Sequence, residues 1–498
     1  MSVFNYAYNL GNFRRKQPEI NKDATISIEI AHRSNFEEVC LWGKWMVSKP
    51  LTLAHKAYTT YLMIKNKDLL KSIKWQIYPG NRINYMPTSK TSFHIISDPK
   101  IIATIAQHYR NDPEGVFQKN IDANTFSLLL RDLFPKQTEP FSDSELREQF
   151  LLTCSKENTA KFRHSFFCLV GPAEISRLKP ELNKVIKEIL EWLAQRESEG
   201  SVQISASALS ELITVATLSR LFLGYSGSIE ECRQIGKAVS FALNFRLMKN
   251  GAPSEEQQKQ YQWALQTLRS AIELSEGAFT QHLKESHFSE IERLSMLFLT
   301  YLAGSETTSL MMQYVLWRLG QQPECQEQMF GEAKTTDLEQ PKAIVHFLNE
   351  CLRFYTPAYV FTRYARENLD IKIGNNPNGD WTYRIWKNEG IICSPFLAGQ
   401  DDKKRGNPKD FRPEKASSHP SIIFNSGRHN CPGQWLAKAE IIDFVSQTLQ
   451  NYTITSSPEK EELAMTGLMT LKVEDVQLTF TRRQEMSDLK DQKIDKNR

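Results

Sequence analysis

The amino-acid sequence contains no long hydrophobic run. None of its segments approaches the roughly 18 consecutive apolar residues that indicate a membrane-spanning helix. The first residues, MSVFNYAYNLGNFRRKQPEI, also lack the apolar core that precedes the cleavage site of a secretory signal. These two absences predict a soluble, cytoplasmic protein whose contact with a membrane is at most peripheral.

The cysteines are too scattered for a zinc site or a disulfide framework. The eight of them lie at 40, 154, 168, 232, 325, 351, 393 and 431, and no two form a C-x-x-C pair. Because a secretory signal is not apparent, reduced thiols are the expected state.

An excess of charge of one sign is also lacking. The 62 Lys and Arg residues nearly balance the 58 Asp and Glu residues, and a net charge of +4 is too small to predict binding to nucleic acid. A local basic patch at 403–405 and Arg428 suits an acidic protein partner at least as well as a polyanion. With 40% apolar residues in 498, the core can be large enough to enclose a bulky cofactor.

Helical spacing of apolar residues dominates the sequence, without repeats or alternating βα units. Helices are predicted at 175–195, 205–224, 229–247, 253–284, 289–321, 341–355 and 432–450. Short strands are predicted at 82–85 and 92–96, strands and turns over 356–400, and a terminal hairpin over 463–481. This pattern predicts one large domain, mainly α with small β-sheets.

The two ends of the chain differ from this body. Residues 1–70 are predicted to be an N-terminal extension, polar over 1–35. The aromatic and lysine-rich stretch 36–75 is either an amphipathic segment that touches a membrane surface or a helical pair packed on the body. Residues 484–498 read as a charged flexible tail, which leaves 71–483 as the globular domain.

The most informative segment is FNSGRHNCPG at 424–433. Its pattern, F-x-x-G-x-x-x-C-x-G, would arise by chance about once in a thousand sequences of this composition. Cys431 precedes a predicted helix, whose free N–H groups and dipole stabilise a thiolate. Gly427 permits a tight bend, Gly433 allows close approach to a flat ligand, and Phe424 can shield the sulfur from water. The alternative is a buried, inert cysteine.

This loop resembles the haem-binding loop of the cytochrome P450 family. The resemblance implies haem b, with its iron bound axially by the Cys431 thiolate, in a single large helical haem-thiolate domain. It also implies that His429, which stands where the family usually has Arg, donates a hydrogen bond to a haem propionate. A histidine there is charged less reliably than an arginine. The resemblance covers roughly residues 75–482.

A second segment, AGSETT at 303–308, lies in the middle of the long predicted helix. It resembles the family's motif on the helix that crosses the distal face of the haem. Small residues at Ala303 and Gly304 leave room for a diatomic ligand, and the Thr307 hydroxyl can bend toward the backbone and open the helix locally. Thr307 and Glu306 would supply the protons that O–O cleavage requires. Taken alone, such a segment is more often part of an ordinary buried helix whose Glu faces solvent.

Three further matches support the resemblance. Glu350 and Arg353 form an E-x-x-R pair, which in the family braces the cysteine loop. Arg363 matches a propionate ligand, as does Arg163 in the segment TAKFRH at 159–164. The segment FRPEK at 411–415 departs from the family pattern by ending in Lys415, which predicts a weaker brace. Thr159 also stands where His or Trp is usual.

The resemblance implies a monooxygenase that inserts one oxygen atom from O2 into an apolar organic substrate. No flavin or iron–sulfur motif is present, so the electrons must come from a separate redox partner, a ferredoxin, flavodoxin or flavin reductase, docking near residues 403–405. The pocket is predicted to be lined by 296–308, by 358–361 and by the hairpin at 467–469. Two alternatives stay open: an isomerase, dehydratase or peroxygenase of the same fold, or a non-catalytic haem-binding protein.

Overall fold

A computed structural model gives the fold of most of the chain. It describes residues 27–30, 83–87, 92–111, 117–119, 123–247, 253–335, 341–376, 379–400, 407, 409–416, 422–467 and 470–483. The predicted amphipathic stretch, the basic patch at 403–405 and the predicted tail at 484–498 lie outside these residues.

Helices make up most of the described chain, as the apolar spacing predicts. Their bounds are α1 Pro99–Asn111, α2 Ala123–Leu133, α3 Pro135–Thr138, α4 Asp143–Glu148, α5 Lys156–Val170, α6 Pro172–Ala194, α7 Ala206–Leu221, α8 Ile229–Leu247, α9 Glu255–Glu273, α10 Ala278–Glu285, α11 Glu290–Gly320, α12 Pro323–Thr335, α13 Lys342–Phe354, α14 Pro395–Gln400 and α15 Gln434–Asn451. In the part of the chain that the structure describes, none of them is both long and apolar enough to cross a membrane.

The strands form small sheets at the edge of this helical body. They are β1 Ser27–Ile30, β2 Ile83–Pro87, β3 Ser92–Ile96, β4 Phe117–Lys119, β5 Ser201–Ser205, β6 Phe361–Ala365, β7 Leu369–Asn376, β8 Gly379–Ile385, β9 Gly390–Cys393, β10 Tyr452–Ser457, β11 Met465–Gly467, β12 Leu471–Val473 and β13 Gln477–Arg482. One sheet has the order β2-β3-β9-β6-β4, with β3 parallel to β9 and its other neighbouring strands antiparallel. The others are β1-β7-β8, β10-β13-β5 and the hairpin β11-β12.

The long helix α11 runs through the core. Its start is fixed by a capping box, in which the Ser289 hydroxyl accepts from the Glu292 N–H and the Glu292 carboxylate accepts from the Ser289 N–H. Its middle is apolar and buried, and it packs against α7, α13, α15 and β10. Helix α7 is itself buried on most of its faces, so α11 is held from several sides.

Most predicted elements are confirmed, and two are corrected. The predicted helix 253–284 is two helices, because the chain turns between Glu273 and Ala278 where Gly277 packs against Gly224. The predicted hairpin over 463–481 ends at β12, since β13 pairs with β10 and β5 instead. Within the predicted N-terminal extension, Ser27–Ile30 forms a strand paired with β7.

Candidate haem site

The cysteine loop makes a tight turn that ends at the start of α15. Asn425 and Gly427 both have positive φ, +58° and +67°, a conformation that glycine adopts at no steric cost. The Cys431 N–H donates to the Phe424 carbonyl at 2.7 Å, which closes the loop. Gly433 is the N-cap residue of α15, so Cys431 stands just before the helix, as the sequence predicts.

The surroundings of Cys431 act on its thiol in opposite directions. Burial raises its pKa, and this effect exceeds the lowering by the Gly433 N–H, the Arg163 guanidinium and the Gln434 N–H. A thiol that coordinates a metal is deprotonated outright. The loop therefore offers N–H donors and a cation to a thiolate, while the anionic form depends on a metal bound at the sulfur.

A cavity of about 420 Å³ separates the cysteine loop from α11. Cys431 and Phe424 line it on the side of the cysteine loop, and Ala303, Gly304 and Thr307 line it on the side of α11. A Cβ at Gly304 would lie 3.0 Å from the Leu218 methyl groups, so this glycine also lets α11 pack closely on α7. The remaining walls are mainly aliphatic and aromatic, among them Leu152, Leu169, Leu218, Phe222, Phe279, Leu299, Val360 and Phe361.

Two of the three predicted pocket walls are confirmed in part. Leu299, Thr300 and Thr308 line the cavity from the 296–308 segment, and Ala358, Val360 and Phe361 line it from 358–361. Tyr359 does not, because its side chain is fully buried elsewhere in the core. Gly467 is not at the cavity either, and 468–469 lie outside the described residues.

Two arginines and a histidine line the cavity. Arg163 and Arg363, from α5 and β6, both line it, together with His429. Arg163 Nη2 donates to the Asn430 side-chain oxygen at 2.5 Å, and Arg363 Nη1 donates to the Thr362 carbonyl at 2.7 Å. These hydrogen bonds hold the two guanidinium groups at the cavity wall, and a guanidinium group is well suited to bind a carboxylate.

Thr307 and Glu306 face different surroundings. The Thr307 hydroxyl lies at the cavity and donates to the Ala303 carbonyl at 2.7 Å, the bend toward the backbone that the sequence predicts. Glu306 is not at the cavity: its carboxylate accepts from the Thr470 hydroxyl at 3.0 Å and lies 3.6 Å from Lys472 Nζ. Glu306 and Thr307 are thus adjacent in sequence, but their side chains leave α11 on different sides.

The Glu350–Arg353 pair is buried and connects three segments. Arg353 makes two hydrogen bonds to Glu350, at 3.0 and 2.8 Å, and donates to the carbonyls of Gly399 and Asp410. Glu350 also accepts from the Arg412 N–H at 2.9 Å. The brace uses backbone groups of residues 410–412, so the departure at Lys415 does not remove it.

These features fit haem b. In the described part of the chain, no three His, Cys, Asp or Glu side chains cluster to hold a metal. A single thiolate such as Cys431 suits a metal whose other ligands come from a macrocycle. Gly433 lines the cavity, and a Cβ built there would meet no protein atom within 4 Å, which leaves room for a flat group. Arg163, Arg363 and His429 line the same cavity and have the chemistry to bind two propionates.

Fold and site together define a haem-thiolate protein. The family model described as "Cytochrome P450" matches residues 211–480, more than half of the chain. The chain belongs to the cytochrome P450 family, whose members are monooxygenases that bind haem b through a cysteine thiolate.

Individual relatives are distant. Cytochrome P450 4V2 of Homo sapiens is 26% identical over 188 residues, 34% of this chain and 34% of the relative. The monooxygenase paxQ of Penicillium paxilli is 28% identical over 196 residues, 35% and 38% of the two chains. The match thus spans little more than a third of these relatives. A crystal structure of a cytochrome P450 (CYP102L1) superposes with a TM-score of 0.63 at 17% identity, over 83% of this chain and 98% of that chain, and shows the same fold.

Several site residues escape the sequence reasoning. Asn430, which holds Arg163, lies inside the cysteine loop but has no distinctive motif position. Glu440 lines the cavity and is buried, with a pKa raised to about 8 by burial. One signal could have found it: Glu440 falls four residues after Leu436, on the apolar face of a predicted helix.

Proposed function

We propose that this protein is a monooxygenase that inserts one oxygen atom from O2 into an apolar organic molecule. The observation that carries the proposal is the pairing of two groups across one cavity. The Cys431 thiol lies on one side, and the Thr307 hydroxyl lies on the other with Glu306 as its neighbour. An isomerase or dehydratase of this fold has no need for a hydroxyl and an acid placed together in this way.

The protein contributes position, exclusion of water and charge. Bound haem b supplies the reductive activation of O2 and the transfer of one oxygen atom to the substrate. Cys431 would hold the haem iron through its thiolate, and Arg163, Arg363 and His429 would bind the propionates. Phe424, which lines the same cavity, would keep water from the thiolate.

Two adjacent residues of α11 would manage the protons. The Thr307 hydroxyl gives its own hydrogen to the Ala303 carbonyl, so its oxygen is available to accept a hydrogen bond from a molecule in the cavity. Glu306, one residue earlier, is a carboxyl group on the side of the hairpin β11-β12 that can take protons from solvent. The general acid role of such a pair contributes about 100- to 10,000-fold to a rate.

The substrate and the electron donor belong to the same proposal. The aliphatic and aromatic walls of the cavity favour an apolar guest over a charged one. The electron donor in this proposal is a ferredoxin, a flavodoxin or a flavin reductase. A soluble, cytoplasmic location and the boundaries 1–70, 71–483 and 484–498 are likewise proposed from the sequence.

The carbon monoxide spectrum and the incorporation of labelled oxygen test the proposed function. The dithionite-reduced protein under carbon monoxide is expected to show the red-shifted Soret band of thiolate-ligated haem, and Cys431→Ala to lose it while Cys168→Ala, at an exposed thiol, keeps it. With a redox partner, the product is expected to carry one atom of labelled O2. An imidazole-like band, or turnover with hydroperoxide but none with O2 and electrons, would overturn the proposal.

A further inference from the structure

The hairpin β11-β12 contacts the acid of α11 through two side chains. The Thr470 hydroxyl donates to Glu306 Oε1 at 3.0 Å, and Lys472 Nζ lies 3.6 Å from the same oxygen. Lys472 also donates to the Asn244 side chain of α8 at 2.9 Å, which fixes where its ammonium group lies. The Glu306 carboxylate is mostly buried, at 14% exposure, whereas Lys472 is more open, at 38%.

A second carboxyl group belongs to the same cluster. Glu211 of α7 accepts a hydrogen bond from the Ser240 hydroxyl of α8 at 2.5 Å. A Cβ at Gly236 would come within 2.8 Å of the Glu211 side chain, so α8 packs directly over it. The cluster therefore joins α7, α8, α11 and β12 around two carboxyl groups.

The charges that face Glu211 come from three of these elements. Burial raises its pKa, and the negative charge of Glu306 adds to the rise. The Ser240 hydroxyl, the Lys237 ammonium and the Lys472 ammonium act in the opposite direction. Lys472, which lies 3.6 Å from Glu306, thus also lowers the pKa of Glu211.

We propose that Lys472 is a positioning residue of the proton relay, which holds the Glu306 carboxylate on the hairpin side of α11 and balances the charge that Glu306 shares with Glu211. The relay role of Glu306 rests on the proposed function, but the charge balance does not. Without Lys472, one of the cations that lower the pKa of Glu211 is lost while the negative charge of Glu306 remains, so Glu211 holds its proton more firmly.

The position of Lys472 is set by the walls of the substrate cavity. The Leu471 N–H donates to the Pro357 carbonyl at 2.8 Å, and the Tyr355 hydroxyl donates to the Leu471 carbonyl. Pro357 lines the cavity, and Tyr355 is a buried phenol whose pKa is raised by burial and further by Glu306. Anything that moves this wall also moves the cation beside Glu306.

The first test measures unfolding free energy against pH for the haem-loaded protein, for Lys472→Met, for Glu211→Gln and for the double variant. The pKa of Glu211 is raised in the folded state. The stability that Glu211 contributes is therefore fully present below about pH 4.5, and it is lost as the pH rises through the pKa of the folded state. Lys472→Met is expected to move the end of this loss to higher pH. In the Glu211→Gln background the loss that belongs to Glu211 is absent, so the same substitution is expected to produce a smaller shift there.

A matched ion pair in the same region serves as control. Lys460 lies 2.7 Å from Glu474 at similar exposure, 36% and 31%, and Lys460→Met removes a cation without touching the cluster. Lys472→Arg keeps the charge and is expected to keep the wild-type profile. A Lys472→Met curve parallel to the wild-type curve would overturn the proposal, as would an equal shift in Lys460→Met. Lys472→Gln replaces the Met variant if the latter does not fold.

The second test is oxygen use. Lys472→Met is expected to release more hydrogen peroxide per electron than the wild type, with the excess changing over the pH range in which the stability curves separate. An excess that is the same at every pH would overturn the role of Lys472 in the relay. The stability test needs neither O2 nor an electron donor. It can therefore fail while the monooxygenase proposal holds, and it can succeed while the monooxygenase proposal fails.

Discussion

Arg353 and Glu350 meet in a two-point hydrogen bond that is closed to water, with side-chain exposures of 2% and 1%. Both groups also form hydrogen bonds to backbone atoms, of residues 399 and 410 for Arg353 and of residue 412 for Glu350. At Gly399 a Cβ would come within 2.4 Å of the Arg353 carbonyl, so α14 is pressed against α13. The pair thus fixes the segments that lead into the cysteine loop.

Removing one partner of this pair is expected to be costly. Arg353→Leu leaves the Glu350 carboxylate buried without its cation, which destabilises a protein by about 3–5 kcal/mol. Chemical denaturation at neutral pH measures the change. Arg177→Leu is the control, because the Arg177–Glu174 pair has the same i,i+3 spacing but an arginine exposed to 79%, and we expect at most about 1 kcal/mol there. Equal losses in both variants would show that the buried pair has no special role.

Retention of haem is expected to depend on Arg363. A hydrogen bond to a charged group contributes about 1.5–3 kcal/mol, so Arg363→Leu is expected to speed transfer of haem to apomyoglobin by about 10- to 100-fold. Arg366→Leu is the control, because Arg366 is an exposed arginine that directly follows β6 and does not line the cavity. An unchanged transfer rate in Arg363→Leu would remove this residue from the propionate site.

Thr307 is expected to govern how oxygen is used rather than whether haem binds. Thr307→Ala removes the hydroxyl at the cavity, so product per O2 consumed is expected to fall by about tenfold or more while peroxide rises. The carbon monoxide spectrum is expected to stay unchanged. Ser309→Ala is the control, because its hydroxyl donates to the Glu306 backbone carbonyl on the same helix. Similar peroxide release from both variants would assign the effect to the helix instead.

The features that the sequence predicted are those encoded by neighbours along the chain. The cysteine loop, the 303–308 motif and the E-x-x-R pair each fall within ten residues, and helical spacing predicted α6, α7, α8 and α11 closely. Local patterns carry such features because backbone bends, caps and i,i+3 pairs depend on short stretches.

The features that the sequence missed depend on contacts between distant segments. Lys472 and Glu306 are 166 positions apart, and Glu211 reaches the same cluster from a third helix. Strand β13 reads as part of a local hairpin, yet its partners β10 and β5 come from elsewhere. Thr470 and Lys472 alternate with apolar residues as in an ordinary strand. Nothing in the sequence around them therefore indicates that they contact Glu306.

Glu440 is expected to make stability depend on pH. Burial raises its pKa from 4.5 to about 8, so the folded state holds a proton that the unfolded state has lost between these values. The stability contributed by the neutral acid is therefore fully present below about 4.5 and falls as pH rises to about 8. At about 1.4 kcal/mol per pKa unit, the loss is on the order of 5 kcal/mol.

Glu440→Gln separates this effect from the other titrating groups. The amide has the shape of the neutral acid and cannot ionise, so the variant is expected to match the wild type near pH 5 and to exceed it above pH 8, since only the wild type must bury a charge there. Urea denaturation at both pH values measures the difference. Glu461→Gln, at an exposed carboxyl, is the control and is expected to follow the wild type. A Gln variant that stays parallel to the wild type from pH 5 to 9 would mean that Glu440 is ionised throughout, and that a cation reaches it inside the cavity wall.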